Sequence, residues 1–185
     1  MRRTGSFGVT TGKPFLYIVV CAAGVADDVD QLIRYAHREG WETGLIATPN
    51  ALPLIDQPAL EELTGYPIRS AWRTPGQARP LPPADAIAVA PATLNTITKW
   101  AAGHADTLAL GILTEAFGLG IPTAVLPYIN KAQAAHPAYE RSRRDLELMN
   151  VRFGSYEPHP PKAGGGRDRF DWPEAVDLLR IERTR

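Results

Sequence analysis

The sequence predicts an α/β fold in which helices cover both faces of a parallel sheet. Short apolar stretches typical of strands alternate with amphipathic stretches typical of helices, which is the arrangement of repeated βαβ units. The runs 15–21, 85–90 and 122–126 are almost continuously apolar. That pattern indicates strands buried on both faces, as in a parallel sheet.

Composition limits the classes of protein that fit. The 185 residues suffice for one domain with a sizeable core, since 44% of them are hydrophobic and the formal net charge is zero. Neutrality argues against a nucleic-acid or membrane-surface protein, and no apolar run approaches the ~20 residues of a membrane span. Cys21 is the only cysteine. An intrachain disulfide is therefore impossible, and we expect a cytoplasmic protein.

The first half of the chain follows a strand–helix pattern. The strand 15–21 breaks at Gly24, and the helix predicted over 26–39 ends before Gly40, a suitable residue for a helix C-terminus. Further elements follow from apolar periodicity and from the Pro and Gly residues that interrupt it. They are a strand at 42–47, short helical pieces at 52–55 and 58–64, an extended piece at 68–72 and a Pro/Gly loop at 74–83.

The second half continues the same alternation. We expect the strand 85–90 to end at Pro91, which cannot donate a ladder hydrogen bond. The later predicted elements are helices at about 97–103, 107–117 and 136–149 and strands at 122–126 and 151–153. A terminal helix at 172–182 begins with Pro173 in its first turn. We divide the chain into a flexible tail (1–14), a main domain (15–153), and a lid loop with the terminal helix (154–185).

Small polar residues follow the central strand. Thr93, Asn95 and Thr96 come directly after the predicted end of the strand 85–90 and before a helix. A helix N-terminus presents free backbone N–H groups and favours negative charge. In open α/β sheets, ligands bind at the carboxyl ends of strands. The sequence therefore predicts a site for a polar, anionic ligand here.

The stretch 90–108, APATLNTITKWAAGHADTL, resembles the flavin-binding segment of the flavin-dependent cysteine decarboxylases. This family includes phosphopantothenoylcysteine decarboxylase and the epidermin-type peptidyl-cysteine decarboxylases. Two further stretches match it: Pro127 to Asn130 followed by His136-Pro137, and LTGYPI at 63–68. Together the resemblance covers about residues 15–153.

The resemblance implies a flavodoxin-like (Rossmann-like) three-layer sandwich that binds FMN and assembles into trimers or dodecamers. It implies redox chemistry or decarboxylation on a thiol substrate derived from cysteine, either a small molecule or a peptide. By position, Asn130 would face the substrate. The implied cofactor-binding residues are Ala23, Gly24, Thr48, Pro91, Ala92, Thr93, Asn95 and Thr96.

Four departures from the family pattern bear on activity. The first turn carries Ala22-Ala23 where the family has Gly-Ser. The position of the family's histidine falls near Gln77, and glutamine cannot exchange a proton near neutral pH. Ile129 replaces a methionine, and the loop 162–166 lacks the flap cysteine of the pantothenate enzyme. His104 is the candidate replacement for the missing base.

Other interpretations remain open at this level. One is a flavin-binding sensor or regulatory protein without decarboxylase activity, and a weaker one is a flavin prenyltransferase. The sequence does not decide whether the protein is an active enzyme, nor which substrate it uses. The four histidines lack metal-ligand spacing, so we expect no metal site, and we expect neither a nucleic-acid nor a membrane partner.

Overall fold

A five-stranded, all-parallel sheet forms the centre of the protein. The computed structural model describes residues 12–162 and 165–180. The strands are β1 (Phe15–Val20), β2 (Glu42–Ala47), β3 (Ala86–Ala92), β4 (Thr123–Pro127) and β5 (Arg152–Phe153). Their order in the sheet is β2-β1-β3-β4-β5. The helices are α1 (Asp30–Arg38), α2 (Gln57–Thr64), α3 (Leu94–Ala101), α4 (Leu108–Gly118), α5 (Lys131–Ala134), α6 (Pro137–Leu148) and α7 (Glu174–Arg180).

Helices cover both faces of the sheet, which confirms the predicted α/β sandwich. On one face, Leu16, Ile18 and Val20 of β1 pack with buried residues of α1, α2 and α7. On the other face, alternate strand residues such as Val19 and Val89 pack with α3, α4 and α6. Side chains of a strand alternate between faces, so each buried strand contributes to both cores.

An alanine stripe lies on the face of the sheet that α7 covers. Ala86, Ala88 and Ala90 of β3 and Ala124 of β4 are all at most 2% exposed on this face. Small side chains leave room for Val176 and the rest of α7 to pack close to the sheet.

The central strand does not end at Pro91, so that prediction is wrong. β3 continues to Ala92 with a cis peptide bond between Ala90 and Pro91 and a register shift against β4. Proline lacks a donor but keeps its acceptor, and the Pro91 carbonyl accepts the Cys21 N–H at 3.1 Å. The Ala92 carbonyl accepts the Tyr128 N–H at 2.9 Å. The strand therefore stays paired with both neighbouring segments beyond the proline.

The helix after β3 begins three residues earlier than predicted. Thr93 is its N-cap, and the Thr93 hydroxyl accepts the Thr96 N–H at 3.4 Å. The hydroxylic residues that the sequence assigns to a turn thus form the first turn of α3 itself. This difference places Asn95 and Thr96 on the helix rather than before it.

The other elements match their predicted places with small shifts. The predicted first helix is a short 3-10 turn (Ala26–Asp28) followed by α1, and Gly40 has the positive φ, 84°, predicted for a helix end. The extended piece at 68–72 forms a single bridge, between Arg69 and Ile46. The predicted tail over 1–11, Ala163 and Gly164 of the predicted lid, and the end of the last helix lie outside the described residues.

Candidate functional site

A cavity of about 490 Å³ opens where β1, β2 and β3 end. Its volume lies in the range of roughly 300–1,000 Å³ that is typical of small-molecule sites. Residues after the carboxyl ends of the three strands contribute to it, as expected for an open parallel sheet. The lining residues are Ala22, Thr48, Pro49, Asn50, Thr93, Asn95, Thr96, Lys99, Thr107 and Leu110.

The first turn of α3 forms one wall of the cavity. Thr93 and Thr96 lie with their hydroxyl oxygens 3.2 Å apart, and Thr96 is only 5% exposed. The Cys21 thiol donates to the Thr96 hydroxyl at 3.3 Å. Burial raises the pKa of the Cys21 thiol, against the opposing effect of the Thr96 hydrogen bond. Cys21 is therefore a neutral, buried hydrogen-bond donor that holds the Thr96 hydroxyl in position.

A second helix also points its N-terminus at the cavity. Thr107 caps α4 by accepting the Leu110 N–H at 3.2 Å, and both residues line the cavity. Lys99, in the last turn of α3, also lines the cavity, and its ammonium group lies 2.5 Å from a carboxylate oxygen of Asp106. Lys99 is the charged member of the lining set given above.

This arrangement fits a phosphorylated ligand. Two helix N-termini provide positive potential, Lys99 adds an ammonium group that is paired with Asp106, and threonine and asparagine side chains provide neutral hydrogen bonds. Asn95 is exposed, so its amide is free of burial constraints. The small side chains of Ala22 and Thr48 leave space for a ligand at the ends of β1 and β2.

Four of the residues predicted to bind a cofactor lie outside this lining set. Pro91 and Ala92 are buried within β3. Ala23 is 9% exposed, and Gly24 turns its carbonyl towards the Arg167 guanidinium, which donates to it at 2.6 Å. The first turn after β1 therefore borders the cavity through Ala22. Gly24 instead contacts Arg167 of the C-terminal segment, residues 165–180.

Arg167 ties the C-terminal segment to the 3-10 turn (Ala26–Asp28) that precedes α1. Its guanidinium forms ion pairs with Asp27 at 2.7 Å and Asp28 at 2.8 Å, in addition to its bond to Gly24. The Tyr128 hydroxyl donates to the Gly165 carbonyl at 2.9 Å. These contacts hold the segment over the turn that follows β1.

Asn130, the predicted substrate residue, lies after β4 and caps α5. Its side-chain oxygen accepts the Gln133 N–H at 2.9 Å, and the Gln133 side chain accepts the Asn130 N–H at 3.1 Å. This capping box fixes the asparagine's orientation. Asn130 also bridges to His159, whose N–H donates to the Ile129 carbonyl at 3.2 Å.

An aromatic cluster surrounds His159 beside Asn130. The His159 ring lies 4.6 Å from the Tyr128 ring, and His159 Nδ1 is 3.2 Å from the Tyr156 hydroxyl. Phe170 packs edge-on against Tyr128 at 5.7 Å. Burial, followed by the nearby Arg169, lowers the pKa of His159 and favours its neutral form.

The candidate base and the residue that replaces the family histidine lie elsewhere. His104 is exposed, follows the C-terminal end of α3 and is outside the cavity lining. Gln77 lies in an exposed loop, where its side-chain oxygen accepts the Thr74 N–H at 3.0 Å. In the described part of the chain, no group of three or more His, Cys, Asp and Glu residues is arranged to hold a metal ion.

Sequence reasoning assigned no role to several residues that the structure brings to this edge. Lys99 has a local signal, since it lies three residues after Thr96 and therefore on the same helix face. Thr107 has the signal of an N-cap. His159 has none, because its place beside Asn130 depends on contacts across 29 residues of chain.

The strand order and the polar cavity beside two helix N-termini define an α/β protein with a cavity at the carboxyl edge of a parallel sheet. A family model described as "Flavoprotein" matches residues 12–163. The chain belongs to this Flavoprotein family, which confirms the resemblance seen in the sequence.

One curated relative is the coenzyme A biosynthesis bifunctional protein CoaBC of Thermococcus kodakarensis (strain ATCC BAA-918 / JCM 12380 / KOD1). It is 30% identical over 130 residues, which cover 66% of this chain and 32% of the relative. The chain thus spans about a third of the length of the curated relative that it matches.

Solved structures share the fold. A PPC decarboxylase mutant complexed with pantothenoylaminoethenethiol has a TM-score of 0.72 at 20% identity, covering 90% of this chain and 98% of that one. The FMN-binding protein AtHal3 has a TM-score of 0.71 at 19% identity, covering 94% and 100%. TvaF, an FMN-dependent cysteine decarboxylase from thioviridamide biosynthesis, has a TM-score of 0.71 at 19% identity, covering 90% and 98%.

Proposed function

We propose that the protein binds FMN in the cavity at the ends of β1, β2 and β3 and uses it to decarboxylate a cysteine-derived thiol substrate. The observation that carries this proposal is the convergence of two helix N-termini and Lys99 on one polar cavity. Membership of the Flavoprotein family and the FMN-binding proteins of the same fold support it.

The residues of the cavity have separate tasks in this proposal. Lys99 and the first N–H groups of α3 and α4 hold the phosphate, since both bring positive potential to the same space. Thr48, Thr93, Asn95 and Thr96 offer hydrogen bonds to the ribityl hydroxyls. Ala23, Gly24, Pro91 and Ala92 remain proposed neighbours of the cofactor through their backbone rather than through the cavity lining.

The flavin, when bound, supplies an acceptor for the two electrons removed from the substrate thiol, after which the carboxylate leaves as CO2 and an enethiol remains. Asn130 orients the substrate from the end of β4, and its capping box limits the rotation of its amide. The segment 154–185 has no cysteine, so the chain offers no thiol there to reduce the product. His104 stays a proposed acid or base.

The proposal also includes a cellular location and an oligomeric state. We place the protein in the cytoplasm as a homo-oligomer, a trimer or dodecamer, in which a neighbouring copy completes the flavin site. The single cysteine and the family resemblance support this assignment. Within the described residues, no helix has the length and apolar character needed to cross the membrane. Light scattering of the purified protein tests the oligomeric state.

A direct test is CO2 release by the FMN-loaded protein. The substrates are phosphopantothenoylcysteine and a peptide that ends in cysteine, and the control is the same peptide ending in alanine. We expect CO2 only from a cysteine substrate, with an enethiol product detected by mass spectrometry. Bound flavin without CO2 release from either substrate would contradict the decarboxylase proposal and favour the sensor.

A further inference from the structure

The segment 69–79, here called the arginine loop, contains three arginines, Arg69, Arg73 and Arg79, and no acidic residue. In a chain with no net charge, this concentration of positive charge is a local feature. Within the described residues, no ion pair joins any of the three to a carboxylate. The loop therefore carries positive charge that no ion pair within the described residues offsets.

The arginine loop starts beside the cavity. The Arg69 carbonyl accepts the Ala47 N–H at 2.8 Å, and the Arg69 N–H donates to the Leu45 carbonyl at 3.0 Å. These bonds place Arg69 next to the end of β2, where Thr48 begins the cavity wall. Three residues later, the chain reaches α4 on the opposite wall.

Trp72 makes the contact with α4. A Cβ added to Gly111 would lie 2.3 Å from the Trp72 ring, so the absence of a side chain at Gly111 creates the seat for the indole. Gly111 directly follows Leu110, which lines the cavity. Trp72 nevertheless remains 56% exposed, whereas Trp41, Trp100 and Trp172 are at most 5% exposed.

Hydrogen bonds within the loop give it a defined shape. The Gln77 N–H donates to the Thr74 carbonyl at 3.2 Å, and the Thr74 N–H donates to the Gln77 side chain at 3.0 Å. Arg73 donates to the Gln77 carbonyl at 2.7 Å. The loop is therefore preorganised, which lowers the entropy lost when a partner binds.

The charges of the three arginines act on neighbouring groups of the loop and of β1. Burial raises the pKa of Tyr17, and the nearby Arg69 and Arg79 both oppose that effect. Burial lowers the pKa of Arg69, and Arg73 adds to the lowering by repulsion. Three arginines on one short loop, with no ion pair to a described carboxylate, favour an anionic partner, because its carboxylates accept bidentate hydrogen bonds.

We propose that the arginine loop and Trp72 dock an acidic stretch of a peptide substrate, while the cysteine end of that peptide reaches the cavity. Exposed tryptophan and arginine are the residues most enriched in the energetically important centres of interfaces. Charges spread over eleven residues of loop suit an extended peptide with several carboxylates better than one compact anion. The inference rests on the proposed function, since it names the substrate class of the same site.

The test uses fluorescein-labelled peptides without cysteine, so that docking is measured apart from catalysis. One probe alternates Glu with Gly, and the matched probe alternates Gln with Gly. Anisotropy gives the affinity of the FMN-loaded protein for each, and iodide quenching reports on the exposure of Trp72. We compare the wild type with the triple variant Arg69→Gln, Arg73→Gln and Arg79→Gln. The control triple variant, Arg34→Gln, Arg141→Gln and Arg144→Gln, removes the same charge elsewhere.

We expect the Glu probe to bind at least about tenfold more tightly than the Gln probe. The loop variant should lose that preference, and the control should keep it within about threefold. The Glu probe should also protect Trp72 from iodide, and Trp72→Ala should weaken its binding.

Several results would overturn the inference. They are equal binding of the two probes, equal losses in the two triple variants, and protection of Trp72 by inorganic phosphate alone, which would indicate a compact anion. A change of oligomeric mass in the loop variant, with peptide binding intact, would assign the loop to contacts between copies. FMN binding, read in the same samples, separates the two proposals. If FMN binds but the Glu probe is not preferred over the Gln probe, only this inference is contradicted. If the Glu probe is preferred but FMN does not bind, only the proposed function is contradicted.

Discussion

The carboxyl edge of the sheet has two regions of opposite construction. Over β1, β2 and β3, small hydroxylic and amide side chains border an open cavity with one lysine. Over β4 and β5, the rings of Tyr128 and Tyr156 pack against His159, and Phe170 packs against both tyrosines. The difference teaches that the first region leaves open space bordered by polar groups, whereas the second region fills its space with packed rings that hold side chains such as Asn130 and His159 in fixed positions.

The largest expected effect is on turnover, and it concerns Asn130, which lies in the second region. Asn130→Asp keeps a good N-cap for α5 but replaces the amide with a carboxylate. We expect FMN affinity to stay unchanged and the rate of CO2 release to fall about 100-fold, comparable to the loss of one oriented polar group at a reacting centre. Stopped assays of CO2 release and a flavin titration measure the two quantities.

Gln133→Ala is the matched control for Asn130→Asp, since it weakens the capping box and leaves the Asn130 amide in place. It should change turnover less than about threefold, because an exposed cap affects stability more than chemistry. Equal turnover in the wild type and Asn130→Asp would show that Asn130 serves the helix alone.

The next largest effect is on FMN affinity, and it concerns Lys99, which lines the cavity of the first region. Lys99→Gln removes the charge of the cavity, and we expect FMN affinity to fall about 30-fold, or about 2 kcal/mol, the size of a charge-assisted hydrogen bond. Riboflavin, which lacks the phosphate, should bind the variant as well as it binds the wild type. Isothermal titration calorimetry measures both ligands.

Lys131→Gln in α5 removes the same charge from the other region and should leave FMN affinity unchanged. Equal losses for FMN and riboflavin in Lys99→Gln would contradict the assignment of Lys99 to the phosphate.

The fold and the first region could be predicted from local sequence, for a physical reason. Buried parallel strands are apolar runs, and Thr93, Asn95 and Thr96 are neighbours in the chain, so their convergence needs only a helix start. The predicted strand end at Pro91 was wrong because it considered only the N–H donor that proline lacks. The carbonyl groups of Pro91 and Ala92 still accept the N–H groups of Cys21 and Tyr128. The second region could not be predicted, since His159 meets Tyr128 only through the folded path of the C-terminal segment.

A smaller effect is expected where the arginine loop rests on α4. Gly111→Ala would place a methyl group against the outer edge of the Trp72 ring, which must move, and we expect the free energy of unfolding to fall by up to about 1 kcal/mol because the gain in helix propensity offsets part of the cost. Gly118→Ala in the same helix meets open space and should be neutral or slightly stabilising. Urea denaturation measures both, and a stabilised Gly111→Ala variant would contradict the seat for Trp72.

The smallest effect concerns pH. Burial lowers the pKa of His37, whose Nε2 lies 2.9 Å from the Thr43 hydroxyl, so the unfolded chain binds a proton more readily than the folded one. This stabilising contribution is complete above the ordinary pKa of 6.5 and decreases as the pH falls below it. Urea midpoints measured through this range should fall on acidification, less so in His37→Gln. An equal fall in both proteins would exclude His37 as a source.

FMN binding by the purified wild-type protein tests the central claim most directly. The first region predicts equimolar uptake of FMN, with the visible absorbance of a bound flavin and weaker binding of riboflavin. A colourless protein that takes up neither flavin would contradict the account.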